Sequence, residues 1–290
     1  MAAPPLAGYS CYAHFVVTSP RPLVAHVEIN RPDKLNAFSR AVWLEFGRVF
    51  RQLSGDGGVR AVVLSGAGER AFTAGLDVRA ASQEGPLAAT GGEGDGGRDA
   101  ARTAKALREH IEEFQGCITE MERCEKPVIC VLHGISLGLA IDIACCADMR
   151  LCSSDTRFAV KEVDIGLAAD IGTLARLPKI VGSTSWVKDV CLSARDFSAS
   201  EALAVGFVSQ VHEGKGAAVE AGLAMAGGLA GKSPVAVQGT KELLNYGREH
   251  ATADSLRYTT VWNSVALQAG DVAAAMAGMF GKRRPTFEKL

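Results

Sequence analysis

The sequence predicts an α/β protein in which strands and helices alternate along the chain. Residues 23–30 (LVAHVEIN) alternate apolar and polar side chains as a strand does. Residues 39–53 carry apolar side chains at helical spacing behind Ser39, a residue type that caps helices. Residues 60–64 (RAVVL) follow as a short buried strand. This order of strand, helix and strand is typical of a layered α/β fold with parallel pairing.

The same order then repeats. Residues 101–122 have the apolar spacing of a long helix, and residues 128–133 (VICVLH) that of a buried strand. A glycine-containing loop follows each strand, and such loops meet on one side of an open α/β sheet, where ligands bind. The first loop, residues 66–77, matches neither a dinucleotide fingerprint nor a Walker A loop. Residues 82–97 are of low complexity, and we interpret them as a lid or as a tolerated insertion.

The second half of the chain is mostly helical. Helices are expected at residues 173–180, 198–204 and from 217 onward, with one strand at 206–212. We divide the chain into a core at 1–196 and a helical C-terminal region at 197–290. Residues 251–279 and the residue that follows them have a long apolar side, which predicts the domain's own core, an oligomer face, or both: Leu256, Val261, Val265, Leu267, Val272, Met276, Met279 and Phe280.

Composition excludes several classes of protein. The 290 residues are 48% hydrophobic and 22% charged, as in ordinary globular proteins. A net charge of −1 argues against a nucleic-acid binder that works by bulk electrostatics. The eight cysteines form no C-x-x-C pair and lie mostly in apolar runs, so we expect reduced core thiols and no metal site. No apolar run is long enough to span a bilayer.

Three acids in residues 133–172 have largely apolar neighbours: Asp142, Glu162 and Asp170. Apolar surroundings disfavour the charged form of a carboxylate and raise its pKa towards the range useful for proton transfer. The glycines of HGISLG precede a predicted helix at 139–147, whose first N–H groups could hold an oxyanion. The alternative is that each acid caps a helix or forms an ion pair with Arg150, Arg157 or Lys161.

Several segments resemble the crotonase (enoyl-CoA hydratase/isomerase) superfamily, in that family's motif order. They are residues 30–39 (NRPDKLNAFS), 71–77 (AFTAGLD), 133–142 (HGISLGLAID), 147–182 and 206–211 (GFVSQV). Within them, KEVDIGLAADIGTLARLPK and KSPVAVQGTK are most similar to the family's dienoyl-CoA isomerases. The acids at 142, 162 and 170 discriminate best, because in similar hydratases the first is typically Glu and the third position is not an acid.

The resemblance implies a spiral of ββα units with a C-terminal helical region that forms trimers or dimers of trimers. It implies an acyl-CoA thioester as ligand, with an oxyanion hole formed by the N–H groups of Leu76 and Leu139. Family members commonly have three glycines where this chain has Gly138-Leu139-Ala140. The contacts to coenzyme A that it implies are Lys34, Ala37, Ala74, Leu76, Asp77 and Lys282.

The activity that the resemblance implies is isomerisation of 3,5-dienoyl-CoA to 2,4-dienoyl-CoA, in fatty-acid β-oxidation. Asp170 would be the base at C2 and Glu162 the acid at C6, or the reverse, with Asp142 keeping Glu162 protonated. No cofactor is expected beyond the coenzyme A that the substrate carries. The alternatives are an enoyl-CoA hydratase, in which Asp142 and Glu162 activate water, and a non-catalytic binder of acyl-CoA or RNA.

The C-terminal tripeptide bears on location. Glu288-Lys289-Leu290 resembles the peroxisomal address Ser-Lys-Leu at its last two positions, and the N-terminal residues lack the pattern of a presequence. We therefore expect a peroxisomal protein, with the mitochondrion as the alternative.

Overall fold

The computed structural model describes residues 4–83 and 99–290, so the predicted lid at 82–97 lies almost wholly outside the described residues. Within these residues, ten strands form two sheets. In chain order they are β1 Phe15–Arg21, β2 Val24–Ile29, β3 Ala61–Gly66, β4 Ala71–Thr73, β5 Val128–Leu132, β6 Ile135–Leu137, β7 Met149–Ser153, β8 Arg157–Ala159, β9 Phe197–Ser198 and β10 Gln210–His212.

The larger sheet has six strands in the order β1-β2-β3-β5-β7-β10. The hairpin β1–β2 is antiparallel, and every later pairing in this sheet is parallel. Parallel neighbours need a long crossover, and the helices between the strands supply it. The apolar strand predicted at 206–212 is shorter in the structure, where only Gln210–His212 pairs with β7.

The smaller sheet has four strands in the order β4-β6-β8-β9. Three strands of the first sheet are each followed along the chain by a short strand of the second: β3 by β4, β5 by β6 and β7 by β8. A helical segment then leads to the next long strand, and the result is the spiral of ββα units that the family resemblance implied. The glycine-containing loops of the sequence prediction therefore contain three-residue strands, which are too short to show an alternating pattern.

The chain contains eleven described α-helices. They are α1 Arg40–Gly55, α2 Val78–Gln83, α3 Ala100–Arg123, α4 Leu139–Cys146, α5 Thr173–Ile180, α6 Thr184–Ser193, α7 Ala199–Ala204, α8 Gly214–Ala230, α9 Pro234–Gly247, α10 Thr252–Ala266 and α11 Asp271–Phe280. Ser39 is the N-cap residue of α1, as predicted. Ser198 and Ser233 cap α7 and α9, each accepting a hydrogen bond from the N–H three residues on. No described helix is long and apolar enough to cross a membrane.

The core has two parts, one on each face of the larger sheet. On one face, aromatic side chains of α1 such as Phe46 and Phe50 pack with α3, α4 and the sheet. On the other face, α8 buries Ala218, Leu223 and Ala226 against the strands. The strands β9 and β10 and the helix α8 thus pack with the sheets although they follow residue 196, and the predicted domain boundary stays a prediction.

The C-terminal apolar side does not form the core of this chain, so that part of the prediction is wrong. The helix expected over 251–279 is interrupted at 267–270 and divides into α10 and α11. The apolar side chains point outward: Val265 is 70% exposed, Met279 76% and Phe280 84%. We call the exposed apolar side chains of α10 and α11 the C-terminal apolar face. The cysteine prediction agrees with the structure, in which all eight are free thiols and six are buried.

Candidate active site

The three acids of the sequence prediction line one cavity of about 420 Å³. The carboxyls of Asp142, Glu162 and Asp170 share its wall with residues of α1, α2, α3 and the turn between β4 and α2. A larger cavity of about 1040 Å³, between α3, α9 and α10, contains none of them. The structure therefore brings together residues up to 28 positions apart, as the sequence analysis expected.

The second sheet positions these acids. Asp142 is the fourth residue of α4, which begins just after β6, and Glu162 opens a 3-10 turn just after β8. Because β6 and β8 are parallel neighbours, their carboxyl ends lie at the same edge of the sheet. Asp170 lies in the loop before α5, and Gln115 of α3 donates a hydrogen bond to its backbone oxygen at 2.5 Å.

Asp142 is the most deeply buried of the three, with 1% of the residue exposed. Its Oδ1 accepts two hydrogen bonds from Thr173, at 2.6 Å from the backbone N–H and at 2.8 Å from the side-chain hydroxyl. Burial disfavours the charge and raises the pKa of Asp142 to about 6, while the bonds from Thr173 act in the opposite direction.

Glu162 has the strongest tendency to keep its proton. Burial, followed by the negative charge of Asp142, raises the pKa of Glu162 to about 7. Its Oε2 is buried and has no hydrogen-bond partner in the described part of the chain. A carboxyl with this pKa can exist in both protonation states near neutral pH, which suits a general acid or base. Asp170 is more exposed than the other two, and partial burial raises its pKa as well.

The basic residues of the alternative interpretation are occupied elsewhere. Arg150 donates to three backbone carbonyl oxygens. Arg157 and Lys161 both form ion pairs with Asp196, at 3.0 and 3.3 Å. Within residues 4–83 and 99–290, none of these three cations forms an ion pair with the acids of the cavity. The capping alternative holds for one acid only, because Asp142 accepts the first N–H of α5.

Two turns meet at the cavity and expose backbone N–H groups. Gly75 has φ +96°, and a Cβ there would lie 2.9 Å from the Leu137 oxygen and 3.5 Å from the Leu139 nitrogen. The turns are therefore in contact, and both Leu76 and Leu139 line the cavity. Neither of their N–H groups donates a hydrogen bond to another described residue. Two free donors beside one cavity can stabilise an oxyanion.

Gly138 makes room for the Glu162 carboxyl. It has φ +54°, and a Cβ there would lie 3.2 Å from Glu162 Oε1. The next residue, Leu139, differs from the glycine common in the family, yet its side chain is 4% exposed and packs into the main core. The departure from the family pattern thus leaves the N–H of Leu139 at the cavity.

The other residues implied to contact coenzyme A are distributed differently. Ala74 and Asp77 line the cavity, and Ala37 is buried next to Phe38, which also lines it. Lys34 ends a 3-10 turn, Pro32–Lys34, and Lys282 follows α11. Neither lysine is among the residues that line the cavity of this chain. All of these contacts stay predictions.

Sequence reasoning missed Thr173 and the aromatic wall of the cavity. Trp43 of α1 stacks on Phe114 of α3 with ring centroids 4.0 Å apart, and both line the cavity. Their helical spacing predicted an inward face, but spacing cannot distinguish a cavity wall from solid core. Thr173 was visible only as a helix start after a glycine, and its partner Asp142 is 31 residues away.

The fold and the site together define a class of protein. A crotonase-type spiral places two backbone donors beside acids with raised pKa values, which is equipment for moving protons next to a polarised carbonyl group. Residues 21–289 match the family model described as enoyl-CoA hydratase/isomerase. The chain belongs to the enoyl-CoA hydratase/isomerase family.

Within this family, the chain is similar to proteins named as dienoyl-CoA isomerases. The chain is 43% identical over 282 residues to a protein of Mus musculus named mitochondrial Delta(3,5)-Delta(2,4)-dienoyl-CoA isomerase, covering 96% of this chain and 84% of the relative. It is 39% identical to a peroxisomal protein of that name from Arabidopsis thaliana, covering 92% and 93%. A crystal structure titled putative enoyl-CoA hydratase, from Streptomyces coelicolor A3(2), superposes with TM-score 0.84 at 28% identity over 98% and 97% of the two chains.

The raised pKa of Glu162 predicts a pH-dependent cost to stability. The value moves from 4.5 to about 7 on folding, so the folded chain binds this proton more tightly than the unfolded chain. The contribution of Glu162 to stability is therefore fully present below about pH 4.5 and is lost as the pH rises through about 7. At pH 8 we expect the free energy of unfolding of Glu162→Gln to exceed that of the native chain by up to about 3 kcal/mol, which raises its urea midpoint. At pH 4 the two midpoints should be similar.

The matched control is Glu112→Gln, because Glu112 is largely exposed on α3. Its stability should follow the native chain at every pH. Parallel pH profiles for Glu162→Gln and the native chain in urea titrations would contradict the prediction.

Proposed function

We propose that the protein isomerises 3,5-dienoyl-CoA to 2,4-dienoyl-CoA by moving a proton from C2 to C6 of the acyl chain. The observation that carries this proposal is the presence of two separate acids, Glu162 and Asp170, in the wall of one cavity with two free N–H groups. The names of the relatives from Mus musculus and Arabidopsis thaliana support it. The reaction belongs to the oxidation of unsaturated fatty acids.

The first step removes a proton from C2. A thioester carbonyl acidifies C2 when its oxygen is stabilised as an enolate, and the N–H groups of Leu76 and Leu139 are the donors for that oxygen. Each such donor is worth about 3–4 kcal/mol in known oxyanion holes. We assign Asp170 as the base, because the more exposed of the three acids is the one most easily held ionised.

The second step delivers a proton to C6. The electron pair left at C2 is delocalised over the conjugated chain to C6, and protonation there moves both double bonds into conjugation with the thioester. Glu162 is the proposed acid, since its raised pKa keeps it protonated near neutral pH. The proton taken by Asp170 returns to solvent, Glu162 is reprotonated, and the reaction needs neither a redox cofactor nor a metal.

The hydratase alternative requires Asp142 and Glu162 to activate a water molecule together. In this structure Oδ1 of Asp142 is fully engaged by Thr173, which leaves one oxygen of a deeply buried carboxyl for that task. Asp170 would have no role in hydration. These two points favour isomerisation. One ultraviolet assay distinguishes the two activities, because a 2-enoyl-CoA loses absorbance on hydration and a 3,5-dienoyl-CoA gains absorbance on isomerisation.

The acids provide the direct test. We expect Asp170→Asn and Glu162→Gln each to lower kcat for a 3,5-dienoyl-CoA by about 10²–10⁴, because each loses a proton-transfer group. The matched control is Asp164→Asn, which removes an exposed acid that is paired with Lys161 and does not line the cavity. Near-native turnover by Asp170→Asn, measured by ultraviolet absorbance, would remove the isomerase proposal.

We also propose that the chain assembles with copies of itself, as a trimer or a dimer of trimers, through the C-terminal apolar face. The support is the exposure of large side chains on α10 and α11, since contiguous exposed apolar patches mark interfaces. Val265→Glu should shift the sedimentation equilibrium mass downward, because it places a charge in that face. Leu192→Glu is the matched control: Leu192 is 74% exposed but lies on α6, so its assembly should be retained. A native chain that sediments as a monomer would contradict this proposal.

The relatives named above include one mitochondrial and one peroxisomal protein, and either location fits. We propose the peroxisome, because Lys289 and Leu290 match a peroxisomal address and only Glu288 departs from it. In the folded chain Arg60 donates hydrogen bonds to the Phe287 and Glu288 carbonyl oxygens, at 2.7 and 2.8 Å. The test is therefore a fluorescent protein that carries only residues 279–290, next to the same fusion with Glu288→Ser. Diffuse fluorescence of the first with punctate fluorescence of the second would contradict the proposal.

A further inference from the structure

Thr173 binds Asp142 twice through one oxygen atom. It is the first residue of α5 and is fully buried, and both its N–H and its hydroxyl donate to Asp142 Oδ1. Any residue other than proline would supply the N–H at this position. Only serine or threonine also supplies a short hydroxyl donor, so the side chain adds something that the fold itself does not require.

The bonds from Thr173 work against the cost of burying a charge. Asp142 is almost inaccessible to solvent, and an ionised carboxylate in such a place is stable only when donors or cations compensate for lost water. Hydrogen bonds to a charged acceptor contribute about twice as much as those between neutral groups. Thr173 also lies at the amino end of α5, where the helix dipole favours a negative charge.

The other titratable groups around Asp142 leave this task to Thr173. On α4 itself, Cys145 and Cys146 are buried, and burial raises the pKa of both thiols, so they are neutral. The negative charge of the neighbouring Asp170 opposes the ionisation of Asp142. Cys191 of α6 also faces Asp142 and Glu162, and burial raises the pKa of its thiol, so it is neutral.

The cation whose charge acts on Asp142 is Arg176 of α5, and it is paired with Glu122 of α3 at 2.7 Å. On the remaining neighbours of α4, the strands β4 and β6 carry no titratable side chain. In the described part of the chain, Thr173 is the only residue that donates a hydrogen bond to Asp142.

We infer that Thr173 is a positioning residue that holds Asp142 ionised and thereby keeps the proton on Glu162. Asp142 and Glu162 repel each other when both are charged, so the acid that is better solvated by hydrogen bonds ionises first. Asp142 accepts two short hydrogen bonds from Thr173, whereas Glu162 Oε2 accepts none in the described chain. The backbone N–H groups of Lys161 and Glu162 lower the pKa of the Glu162 carboxyl, but burial and the charge of Asp142 outweigh them. The threonine thus decides which carboxyl of the pair is the acid. This inference rests on the proposed function, in which protonated Glu162 donates at C6.

The inference gives a direction for the pH profile. Without the hydroxyl, Asp142 stays neutral to higher pH, and Glu162 no longer feels a neighbouring negative charge. Glu162 then loses its proton at lower pH. The basic limb of the pH profile, where kcat falls as Glu162 is deprotonated, therefore moves to lower pH. A purely structural role for Thr173 would lower kcat or stability without moving this limb.

The experiment compares three substitutions by the pH dependence of kcat for a 3,5-dienoyl-CoA. Thr173→Val keeps the shape and the N–H but removes the hydroxyl, and we expect its basic limb to fall by about 0.5–1 pH unit. Thr173→Ser restores the hydroxyl and should restore the native limb. Asp142→Asn removes the charge completely and should shift the limb at least as far as Thr173→Val. KM should stay within about twofold in the threonine variants, because Thr173 does not line the cavity.

A second measurement separates this inference from the proposed function. The protonated carboxyl of Glu162 can be titrated by infrared difference spectroscopy, with Glu162→Gln as the reference that identifies its band. If the native chain does not isomerise dienoyl-CoA but the Glu162 midpoint falls in Thr173→Val, the proposed function fails and the role of Thr173 stands. If the midpoint and the kcat limb of Thr173→Val coincide with the native values, the inference is overturned. It is also overturned if the kcat limb of Thr173→Ser shifts as far as that of Thr173→Val.

Should Thr173→Val fold poorly by circular dichroism, Thr173→Ala removes the same hydroxyl and serves in its place.

Discussion

The site depends on one constraint: two neighbouring, largely buried carboxyls cannot both be ionised without a large cost in free energy. Asp142 is buried in α4, and Glu162 has an oxygen without a hydrogen-bond partner in the described chain. Burial raises both pKa values, to about 6 for Asp142 and about 7 for Glu162, and the negative charge of Asp142 adds to the shift of Glu162. A surface pair would relax into solvent and lose this effect. The fold preserves it by holding both acids in the wall of one cavity, largely out of bulk solvent.

The architecture around the acids serves that constraint. The parallel strands β6 and β8 end at one edge of the smaller sheet, where α4 and the 3-10 turn begin. Two acids from different ββα units therefore meet there. Gly138 permits their approach, since any Cβ at its position would press on the Glu162 carboxyl. The start of α5 then supplies Asp142 with its only described hydrogen bonds. Each of these features is local, and together they support the proposed roles, with Glu162 as the acid and Asp142 as its ionised neighbour.

Much of this arrangement was predictable from the sequence, and the limits have physical reasons. The helices α1, α3, α4, α5 and α7 were predicted within a few residues, because amphipathic patterns and serine caps are signals of local structure. The short strands of the second sheet were not, because three residues cannot show a period. The acids were identified by their apolar neighbours in sequence, which is a local signal of burial. The contact between Thr173 and Asp142 is tertiary and leaves no such signal, and neither does the choice between cavity wall and core at Trp43.

The C-terminal helices show the same limit in another form. An apolar helix side predicts burial but does not specify what buries it. In this chain the apolar side chains of α10 and α11 are exposed. Leu139 provides the opposite case. A backbone N–H does not depend on the side chain of its residue, so the proposed oxyanion donor can be a leucine when that side chain has room in the core, as Leu139 does. An acid at the cavity has no such freedom, because its function is the side chain itself. For this reason we expect the acids at 142, 162 and 170 to carry more of the proposed specificity than the turns that surround them.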